Sequence, residues 1–474
     1  MARLPGFVGA TYRLRSLKAD PERCVNLYPE IIESRNGANG EIGYLVKVPG
    51  RKRLASVGTG PIRGIYPTST NRLAVVSGNQ LYSVSSTWGA TLVGTLSTDH
   101  GPVDMADNGL QIIIVDGVFG YTASLITGAF SKITSEYFMG AARVAFIDGY
   151  FLVNNPGTGQ FQICKLYDGT TWDGLDFGVA EGSPDNILAV LASGRQLWAL
   201  GAKTGETFWN TGDSDFPFSR IDGGFMEHGC GAAFGACQFA GTVVWLSDKG
   251  QVLMATGGTP TRISNHALEL AIRESGDFSG AVAWTHAIDG HTFYCLNLPG
   301  APTTWCYDLS TSQWHERGEM VLGDYQQGRV SCCAYAYGVW VAGDSKDGRI
   351  YQLDPDTYTN DDQPLVWERT APKLNQAGVR LFVSQFQLDM ETGVGVDGSG
   401  QGADPQVMLQ VSKDGGYTWT PERWKSAGSI GDYRHRATWR RLGTGRDLIF
   451  RVRGSDPVKT LLYGANVEIE AGVA

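Results

Sequence analysis

Short apolar stretches recur along the first three quarters of the chain, each ending in a small turn before a second stretch with an aromatic residue or its neighbour. The second stretches centre on Tyr82, Tyr121, Phe161, Phe208, Leu253, Trp305 and Tyr351, at intervals of 39, 40, 47, 45, 52 and 46 residues. Repeats of about 40 to 50 residues are typical of the four-stranded blades of a β-propeller. The spacing predicts six or seven blades.

Turn residues separate the two apolar stretches of each repeat. Gly, Asn and Asp between two such stretches predict a hairpin. The predicted turns are Ser77-Gly78-Asn79, Asp116-Gly117, Asn154-Asn155-Pro156-Gly157, Lys203-Thr204-Gly205, Asp248-Lys249-Gly250, Pro299-Gly300 and Ser345-Lys346-Asp347-Gly348. Only one helix is predicted, capped by Ser264-Asn265 and ended by Gly276.

The chain divides into four segments by this pattern. Residues 1–60 form an irregular lead-in, 61–365 the propeller, 366–380 a polar linker containing Pro372, and 381–474 a second β-module. Five apolar runs in the last segment predict strands at 381–388, 407–411, 437–442, 448–452 and 461–469. The predicted fold is therefore all-β, a β-propeller with an added C-terminal β-sandwich-like module.

Charge is unevenly distributed, although the net charge is only −9. Residues 1–55 hold ten Lys and Arg against five Asp and Glu, and residues 421–459 hold ten against four. The rest of the chain has 19 basic and 39 acidic residues, which disfavours binding of a phosphate backbone over most of the surface. The basic ends could meet an acidic partner or DNA, or they could complement the acidic body or its copies.

Eight scattered cysteines form no C-x-x-C pair, so we expect buried reduced thiols, as in a protein made in a reducing cytoplasm, rather than a zinc site. The first residues lack an apolar leader, and no apolar run approaches the ~20 residues that span a membrane. We therefore expect no membrane insertion.

Two motifs have structural explanations. Residues 393–398 match G-x-G-x-x-G, but the Gly-rich residues 399–405 that follow cannot form the helix a dinucleotide site needs, so we expect a hairpin loop. Asp354, Asp356, Asp361 and Asp362 resemble a calcium loop but have Thr359 at the sixth position, where glycine is needed, which favours a solvated acidic loop.

No short catalytic signature supports Glu206, or Glu316 beside His315, as a catalytic residue. The sequence therefore predicts no catalytic, cofactor-binding or metal-binding residues, no cofactor, and a protein that is not an enzyme.

Residues 412–419 match the Asp-box S-x-D-x-G-x-T-W and resemble the hairpins of sialidases and related propellers. The Asp caps turn amides and the Trp packs beneath the hairpin. A carbohydrate-active propeller, either a sialidase-like enzyme or a lectin, is therefore the alternative. A sialidase would bring three Arg, a Tyr and a Glu to the propeller centre. The candidates are Arg63, Arg72, Arg143, Arg195, Arg220, Arg262, Arg273, Arg317, Arg329 and Arg349.

An ordered series of landmarks resembles the tail accessory, or packaged-DNA stabilisation, proteins of short-tailed bacteriophages over some 440 residues. The landmarks include Val25-Asn26-Leu27-Tyr28-Pro29, Arg63-Gly64-Ile65-Tyr66, Glu206-Thr207-Phe208-Trp209-Asn210-Thr211-Gly212, Phe216-Pro217-Phe218, Glu227-His228-Gly229-Cys230, Arg262-Ile263-Ser264, Trp305-Cys306-Tyr307-Asp308, Gln313-Trp314 and Trp439-Arg440-Arg441-Leu442-Gly443.

This resemblance implies a virion protein, assembled in the host cytoplasm, whose copies form a six-fold hub or nozzle ring below the portal and its adaptor. Such a ring extends the DNA channel, helps retain packaged DNA and anchors tailspikes or fibres, and no catalytic residue accompanies it. We hypothesise that the acidic body faces the channel, where like charge keeps passing DNA from sticking, and that the basic ends, including Arg440 and Arg441, contact neighbouring tail proteins.

Overall fold

The computed structural model describes residues 1–16, 20–32, 42–256, 259–376 and 378–472. Among these described residues, six strands precede the repeats. They are β1 (Ala2–Arg3), β2 (Tyr12–Arg13), β3 (Pro21–Val25), β4 (Leu27–Ile31), β5 (Ile42–Lys47) and β6 (Gly50–Ser56).

Four-stranded antiparallel blades follow one another along the chain. Blades 1 to 4 comprise β7 (Ile62–Pro67), β8 (Leu73–Ser77), β9 (Gln80–Val84), β10 (Ala90–Thr95); β11 (Asp104–Asp107), β12 (Gln111–Val115), β13 (Gly120–Ser124), β14 (Phe130–Lys132); β15 (Val144–Ile147), β16 (Tyr150–Asn154), β17 (Gln160–Lys165), β18 (Asp168–Val179); and β19 (Ile187–Ser193), β20 (Gln196–Gly201), β21 (Gly205–Asn210), β22 (Phe218–Met226).

Blades 5 to 7 continue the series. Their strands are β23 (Ala236–Phe239), β24 (Thr242–Leu246), β25 (Val252–Thr256), β26 (Thr259–Arg262); β27 (Val282–Ile288), β28 (His291–Asn297), β29 (Thr304–Asp308), β30 (Gln313–Val321); and β32 (Val330–Ala336), β33 (Val339–Asp344), β34 (Arg349–Asp354). The short strand β31 (Asp324–Gln327) extends blade 6 beside β30.

The propeller closes with a strand from the N-terminal segment. The first strand of every blade contacts the first strands of both neighbouring blades, and β32 of blade 7 contacts β7 of blade 1. The fourth strand of blade 7 is β6, antiparallel to β34, with Gly50 opposite Asp354 and Ser56 opposite Arg349. The described residues thus form a closed ring of seven blades, in agreement with the predicted propeller.

The repeat seen in the sequence marks one strand of each blade. Every residue of the series from Tyr82 to Tyr351 lies on the third strand, and every predicted turn joins the second and third strands. A second set of turns, between the first and second strands of blades 3 to 7, has two consecutive residues at positive φ, as a type I′ hairpin requires. Asp289 and Gly290, with φ of 52° and 83°, are one example.

Seven apolar cores lie between neighbouring blades. Each is shared by two blades, and the core of blades 5 and 6 also takes the helix α1 (His266–Glu274). Asn265 caps the helix, since its side chain accepts from the amide of Leu268. Gly276, at a φ of 74°, follows the end of the helix, as predicted. A 3₁₀ turn, Ala233–Gly235, precedes β23.

The C-terminal module is a sandwich of two sheets. Its strands, with two short strands before them, are β35 (Thr359–Asn360), β36 (Gln363–Pro364), β37 (Trp367–Thr370), β38 (Leu381–Met390), β39 (Gln406–Ser412), β40 (Arg423–Ser426), β41 (Ala437–Gly445), β42 (Ile449–Gly454) and β43 (Leu461–Ala471). One sheet has the order β4-β5-β43-β38-β41, with β1 beside β43. The other runs β3-β37-β42-β39-β40. The N-terminal segment therefore supplies strands to both sheets.

The second sheet continues into the propeller without a break. Strand β3 pairs with β37 on one side and, in parallel, with β30 of blade 6 on the other, where Val25 lies opposite Glu316. Arg23 reinforces the join, because its guanidinium donates twice to the Glu316 carboxylate at 2.8 and 3.0 Å. Blade 6 and the sandwich consequently share one sheet.

Residues 366–380 differ from the linker that their polarity predicted. They contain β37, whose four residues are all buried in the sheet between β3 and β42. Arg369 on this strand is fully buried and donates to the carbonyls of Gly6, Phe7 and Ala10 and to the Glu22 carboxylate. Arg369, which contributes to the polar character of this segment in the sequence, thus holds the N-terminal residues against the sandwich by hydrogen bonds. The division of the chain into four segments at residues 60, 365 and 380 remains a prediction.

Candidate interaction surfaces

The centre of the propeller holds a cavity of about 290 Å³, lined by residues from the first strands of blades 1, 2, 5, 6 and 7 and by Arg143, which directly precedes the first strand of blade 3. Arg143 spans it. Its guanidinium donates to Asp104 of blade 2 at 2.8 Å and to the carbonyls of Ala233 and Ala236 near blade 5 at 2.6 and 3.0 Å. Burial lowers the pKa of Arg143, but the charge and hydrogen bond of Asp104 together with the nearby Cys237 and Cys230 raise it by more, so this pKa lies above its ordinary value. The residue ties three parts of the ring together.

The arginines do not form the cluster that a sialidase would need. Of the ten candidates, only Arg63 and Arg143 line the central cavity. Arg63 is committed to the carbonyls of Gly78, Thr98, His100 and Gly101 in its own blade and the loop that follows. The other eight lie away from this cavity, several paired with neighbours such as Asp148 or Asp344. Within the described residues, the geometry gives no support to sialidase chemistry at the propeller centre.

The Asp-box is a structural turn. Asp414 accepts from the amides of Tyr417 and Thr418 and from the Thr418 hydroxyl, and the amide of Gly416 donates to Ser412. These hydrogen bonds, led by those from Thr418, hold the pKa of the Asp414 carboxyl well below its ordinary value. Trp419 is half-buried beneath the guanidinium of Arg451. All the acidic oxygen atoms of the motif serve the turn.

The acidic cluster that begins at the end of β34 is only partly the solvated loop expected from its composition, since Asp356 and Asp362 are exposed. Asp354 caps the amide of Asp356 and the hydroxyl of Thr357. The Asp361 side chain is only 7 % exposed and binds both Arg53 and Arg349. The hydrogen bond from Arg53 is the largest cause that lowers the pKa of Asp361. The prediction of a solvated side chain is therefore wrong for Asp361. The sequence alone does not show that strand β6 places Arg53 beside it.

The remaining motif residues also have local structural roles. Residues 393–398 lie between β38 and β39, which belong to opposite sheets, so the segment is a crossover and not a hairpin. Glu316 is bound by Arg23 and the Thr303 hydroxyl. Glu206 accepts from the amide of Gly182 at 2.7 Å. Within the part of the chain that the structure describes, the hydrogen bonds and ion pairs of Glu206 and Glu316 are made with a main-chain amide, a hydroxyl and arginines.

A basic surface lies along one side of the sandwich, where its two sheets end. We call this the basic edge. It comprises Arg423 and Lys425 on β40, Arg434 and Arg436 in the preceding loop of β41, and Arg440 and Arg441 on β41. All six side chains are exposed, and none forms an ion pair with another described residue. Strands β40 and β41 are the edge strands of their sheets.

The sandwich fixes this basic edge in place. The indole of Trp439 donates to the carbonyl of Arg423, and Arg423 donates to the carbonyl of Arg440, so the two edge strands are linked. Arg441 has a φ of 60° at a bulge where the β38–β41 register shifts. Such a bulge redirects side chains at a sheet edge.

Two large aromatic residues accompany the charges. Trp424 is 56 % exposed and Tyr433 is 75 % exposed. Arginine and aromatic residues together are enriched at protein interfaces, whereas lysine and arginine on an edge strand also protect it from aggregation. Protection of an edge strand from aggregation needs only the charges and not the exposed rings of Trp424 and Tyr433. The basic edge is therefore the best candidate for an interface.

The other basic segment behaves differently. Arg23 and Arg51 bind Glu316 and Glu319, and Lys47 donates to the carbonyls of Tyr358 and Asp456. Burial lowers the pKa of Lys47 to about 7. These three charges are internal, so the hypothesis of a docking surface at the N-terminal end does not hold for them. Arg3, Arg13 and Arg15 remain exposed.

All eight cysteines are free thiols. Among the residues that the structure describes, no three His, Cys, Asp or Glu side chains are grouped so as to hold a metal ion. No described helix has the length and apolar character needed to cross a membrane.

Two family models match the chain. The model described as bacteriophage P22 Gp10, beta-propeller matches residues 21–358, and the model described as bacteriophage P22 Gp10, beta-sandwich matches residues 366–470. The first match alone covers more than half of the chain and begins at β3, within the N-terminal segment. Comparison with curated proteins finds no significantly similar sequence.

Several solved structures are similar to part of the chain. The WD40 β-propeller domain of Doa1 is 12 % identical over 64 % of this chain and 96 % of its own, with a TM-score of 0.41. The Neurospora crassa Pan2 WD40 domain is 12 % identical over 62 % of this chain and 89 % of its own, at 0.42. The extracellular domain of the hybrid two-component system BT4673 of B. thetaiotaomicron is 8 % identical over 75 % of this chain and 45 % of its own, at 0.44.

Proposed function

The chain belongs to the family of bacteriophage P22 Gp10 and is a phage tail structural protein of that type, and we propose that its copies form a hexameric hub or nozzle ring below the portal-adaptor complex. In this proposal the ring extends the DNA channel, helps to retain packaged DNA and anchors tailspikes or fibres. It assembles in the host cytoplasm and acts without catalysis.

The observation that carries the proposal, beyond the family itself, is the division of the surface into an acidic propeller and a basic edge. Outside the two basic segments the chain has 19 Lys and Arg against 39 Asp and Glu. A surface of that sign repels the DNA backbone, which suits a wall along which DNA must pass without sticking. The basic edge, with its unpaired charges and exposed rings, is complementary to an acidic protein surface.

Rigidity supports a structural role. Each blade packs against both neighbours through an apolar core shared with each of them, and the sheet of blade 6 runs directly into the sandwich. Force applied to the sandwich is therefore transmitted through main-chain hydrogen bonds to the propeller. A wall segment needs that kind of continuity.

The test is assembly onto tailless phage heads. The double variant Arg440→Glu with Arg441→Glu should abolish binding of the purified chain to the heads, because it reverses two exposed charges without touching the core. The double variant Lys203→Glu with Lys346→Glu changes the net charge equally on the exposed propeller surface and should assemble normally.

Three outcomes separate the possibilities. Normal assembly of the Arg440/Arg441 variant, with the packaged DNA retained, would remove the basic edge from any interface. Normal assembly combined with leakage of packaged DNA would instead assign the edge to DNA. Release of sugar from glycans by the purified chain would contradict the proposal that the protein is not an enzyme. This holds whether or not an Arg143→Met variant keeps the same activity.

A further inference from the structure

A small cavity of about 50 Å³ lies where blades 6 and 7 meet the N-terminal segment. We call it the arginine cavity. Its lining includes Arg51 on the closing strand β6, Trp284 on β27, Arg317 and Glu319 on β30, and Arg329 just before β32. These residues come from parts of the chain more than two hundred positions apart, and only closure of the propeller brings them together.

Three residues that line this cavity carry nitrogen donors without an acceptor, and one of them, Trp284, also lines the central cavity. Nine buried polar side-chain atoms in the described part of the chain have no hydrogen-bond partner there. Four of the nine belong to the arginine cavity, and all four are donors: Nε and Nη1 of Arg51, Nη2 of Arg317 and Nε1 of Trp284. Arg51 and Trp284 are each only 6 % exposed. Because buried donors are almost always satisfied in native proteins, this group indicates an acceptor that the described residues do not supply.

The charges point the same way. Arg51 donates to the Glu319 carboxylate, and Arg329 is balanced by Asp344 and Asp347. Arg317 has no carboxylate partner among the described residues.

The contacts of Arg317 leave its charge uncompensated. It donates to the imidazoles of His286 and His315 at 3.1 and 3.2 Å and lies over the ring of Phe293. Burial, and then the charge of Arg317, holds the pKa of both histidines well below its ordinary value, so they are neutral acceptors. A partly buried guanidinium without a counter-charge is unfavourable.

Water alone would satisfy the donors but not the charge. A buried water needs about 10 to 15 Å³, so the volume accepts a few waters or one compact ion and excludes a nucleotide or a peptide. An oxyanion presents several acceptors and a negative charge at once, which is what the lining lacks.

We propose that the arginine cavity binds one small inorganic oxyanion of the phosphate or sulfate class, held by Arg51, Arg317 and Trp284. The ion bridges the closing strand β6 to blade 6 and so stabilises the closed propeller. Glu319 limits the site to a compact anion by occupying one side of Arg51.

Binding is measured on the full-length chain by equilibrium dialysis against labelled sulfate, with phosphate as competitor. We expect saturable binding of one sulfate per chain, and a melting temperature that rises with sulfate until the site is full. Absence of saturable binding would overturn the proposal.

Variants separate a site from a general salt effect, since sulfate stabilises most proteins by exclusion from their surface. Trp284→Phe keeps the ring but removes Nε1–H and should weaken binding about ten-fold. Arg317→Met should abolish it. Arg53→Gln, on the same strand but bonded to Asp361 outside the cavity, should bind as the parent does. The same sulfate binding and the same rise in melting temperature in the parent, Trp284→Phe and Arg317→Met chains would also overturn the proposal. If Arg317→Met does not fold, the comparison of Trp284→Phe with the parent still tests it.

Discussion

The propeller and the sandwich differ in how far apart along the chain their paired strands lie. Within blades 1 to 6, each strand pairs with the one before or after it, across a short turn or loop. In the sandwich, Ala2 lies opposite Val467 and Arg23 opposite Thr370. The propeller is thus built from local hairpins, whereas the sandwich needs both ends of the chain. The N-terminal segment is the joint, since it also closes blade 7 and lines the arginine cavity.

This contrast predicts that the sandwich can be weakened without loss of the propeller. Arg369→Met removes a fully buried guanidinium and with it the hydrogen bonds to the Glu22 carboxylate and to four carbonyls. We expect a loss of about 3 to 5 kcal/mol in the free energy of unfolding of the sandwich. Urea unfolding followed by circular dichroism and tryptophan fluorescence should then show an early sandwich transition and a later propeller transition.

The matched control is Arg195→Met, which breaks an exposed pair with Asp148 and should cost less than about 1 kcal/mol. A single transition in Arg369→Met, shifted as a whole, would mean that the two regions unfold as one unit and would break the comparison.

Lys47 tests the joint through pH. Its Nζ lies between the carbonyls of Tyr358, after blade 7, and Asp456, in the sandwich. With a pKa of about 7 in the folded chain, Lys47 binds a proton only in the unfolded chain between pH 7 and the ordinary lysine value near 10.4. Stability from this residue therefore rises with pH across that window, by about 1.4 kcal/mol per pH unit.

Lys47→Met lacks the titrating group, so its stability relative to the parent chain should be highest at or below pH 7 and decrease at higher pH. The measurement is the free energy of unfolding of both chains in urea at pH 7, 8 and 9. A difference between the two that stays constant with pH would exclude a buried, shifted Lys47.

A substitution at the N-cap of helix α1 should change the stability of the propeller alone, and by a smaller amount. Asn265→Ala removes the side-chain acceptor of the Leu268 amide and should cost about 1 kcal/mol. The propeller transition should move while the sandwich transition does not. An Asn265→Asp chain keeps the acceptor and should retain the stability of the parent.

The smallest stability effect belongs to the basic edge. The Arg440→Glu and Arg441→Glu double variant should change the free energy of unfolding by no more than about 0.5 kcal/mol, because both side chains are exposed and form no ion pair within the described chain. Loss of assembly without loss of stability would sharpen the contrast between residues that hold the fold and residues that dock. A large destabilisation would instead make these arginines part of the fold.

The parts of the fold visible in the sequence are those encoded locally. The turns such as Asp116-Gly117, the periodic third strands and the cap at Asn265 each depend on a few consecutive residues, and the structure places all of them as predicted. The ordered landmarks also predicted the family correctly. Strands β3, β6 and β37 were missed because what identifies each is a partner strand far away in the sequence.

The surfaces show the same limit. The run of basic residues at 421–459 predicted a basic surface, and six of its ten charges form the exposed basic edge because they are close together in the chain and in space. Arg451 and Arg453 on β42 are instead half-buried and bonded to Gln410 and Glu368. The run at 1–55 looks alike, yet Arg23, Lys47 and Arg51 bind partners that lie 268 to 409 residues away in the chain. The arginine cavity could not be seen at all, because its donors lie at positions 51, 284 and 317.

Electron cryo-microscopy of the purified chain, and of tailless heads to which it has been added, tests the central claim most directly. The account predicts a ring of copies around a central channel, placed below the portal, with the basic edge of each sandwich at a contact with another protein. A chain that remains a monomer at every concentration and adds no density to the heads would contradict it.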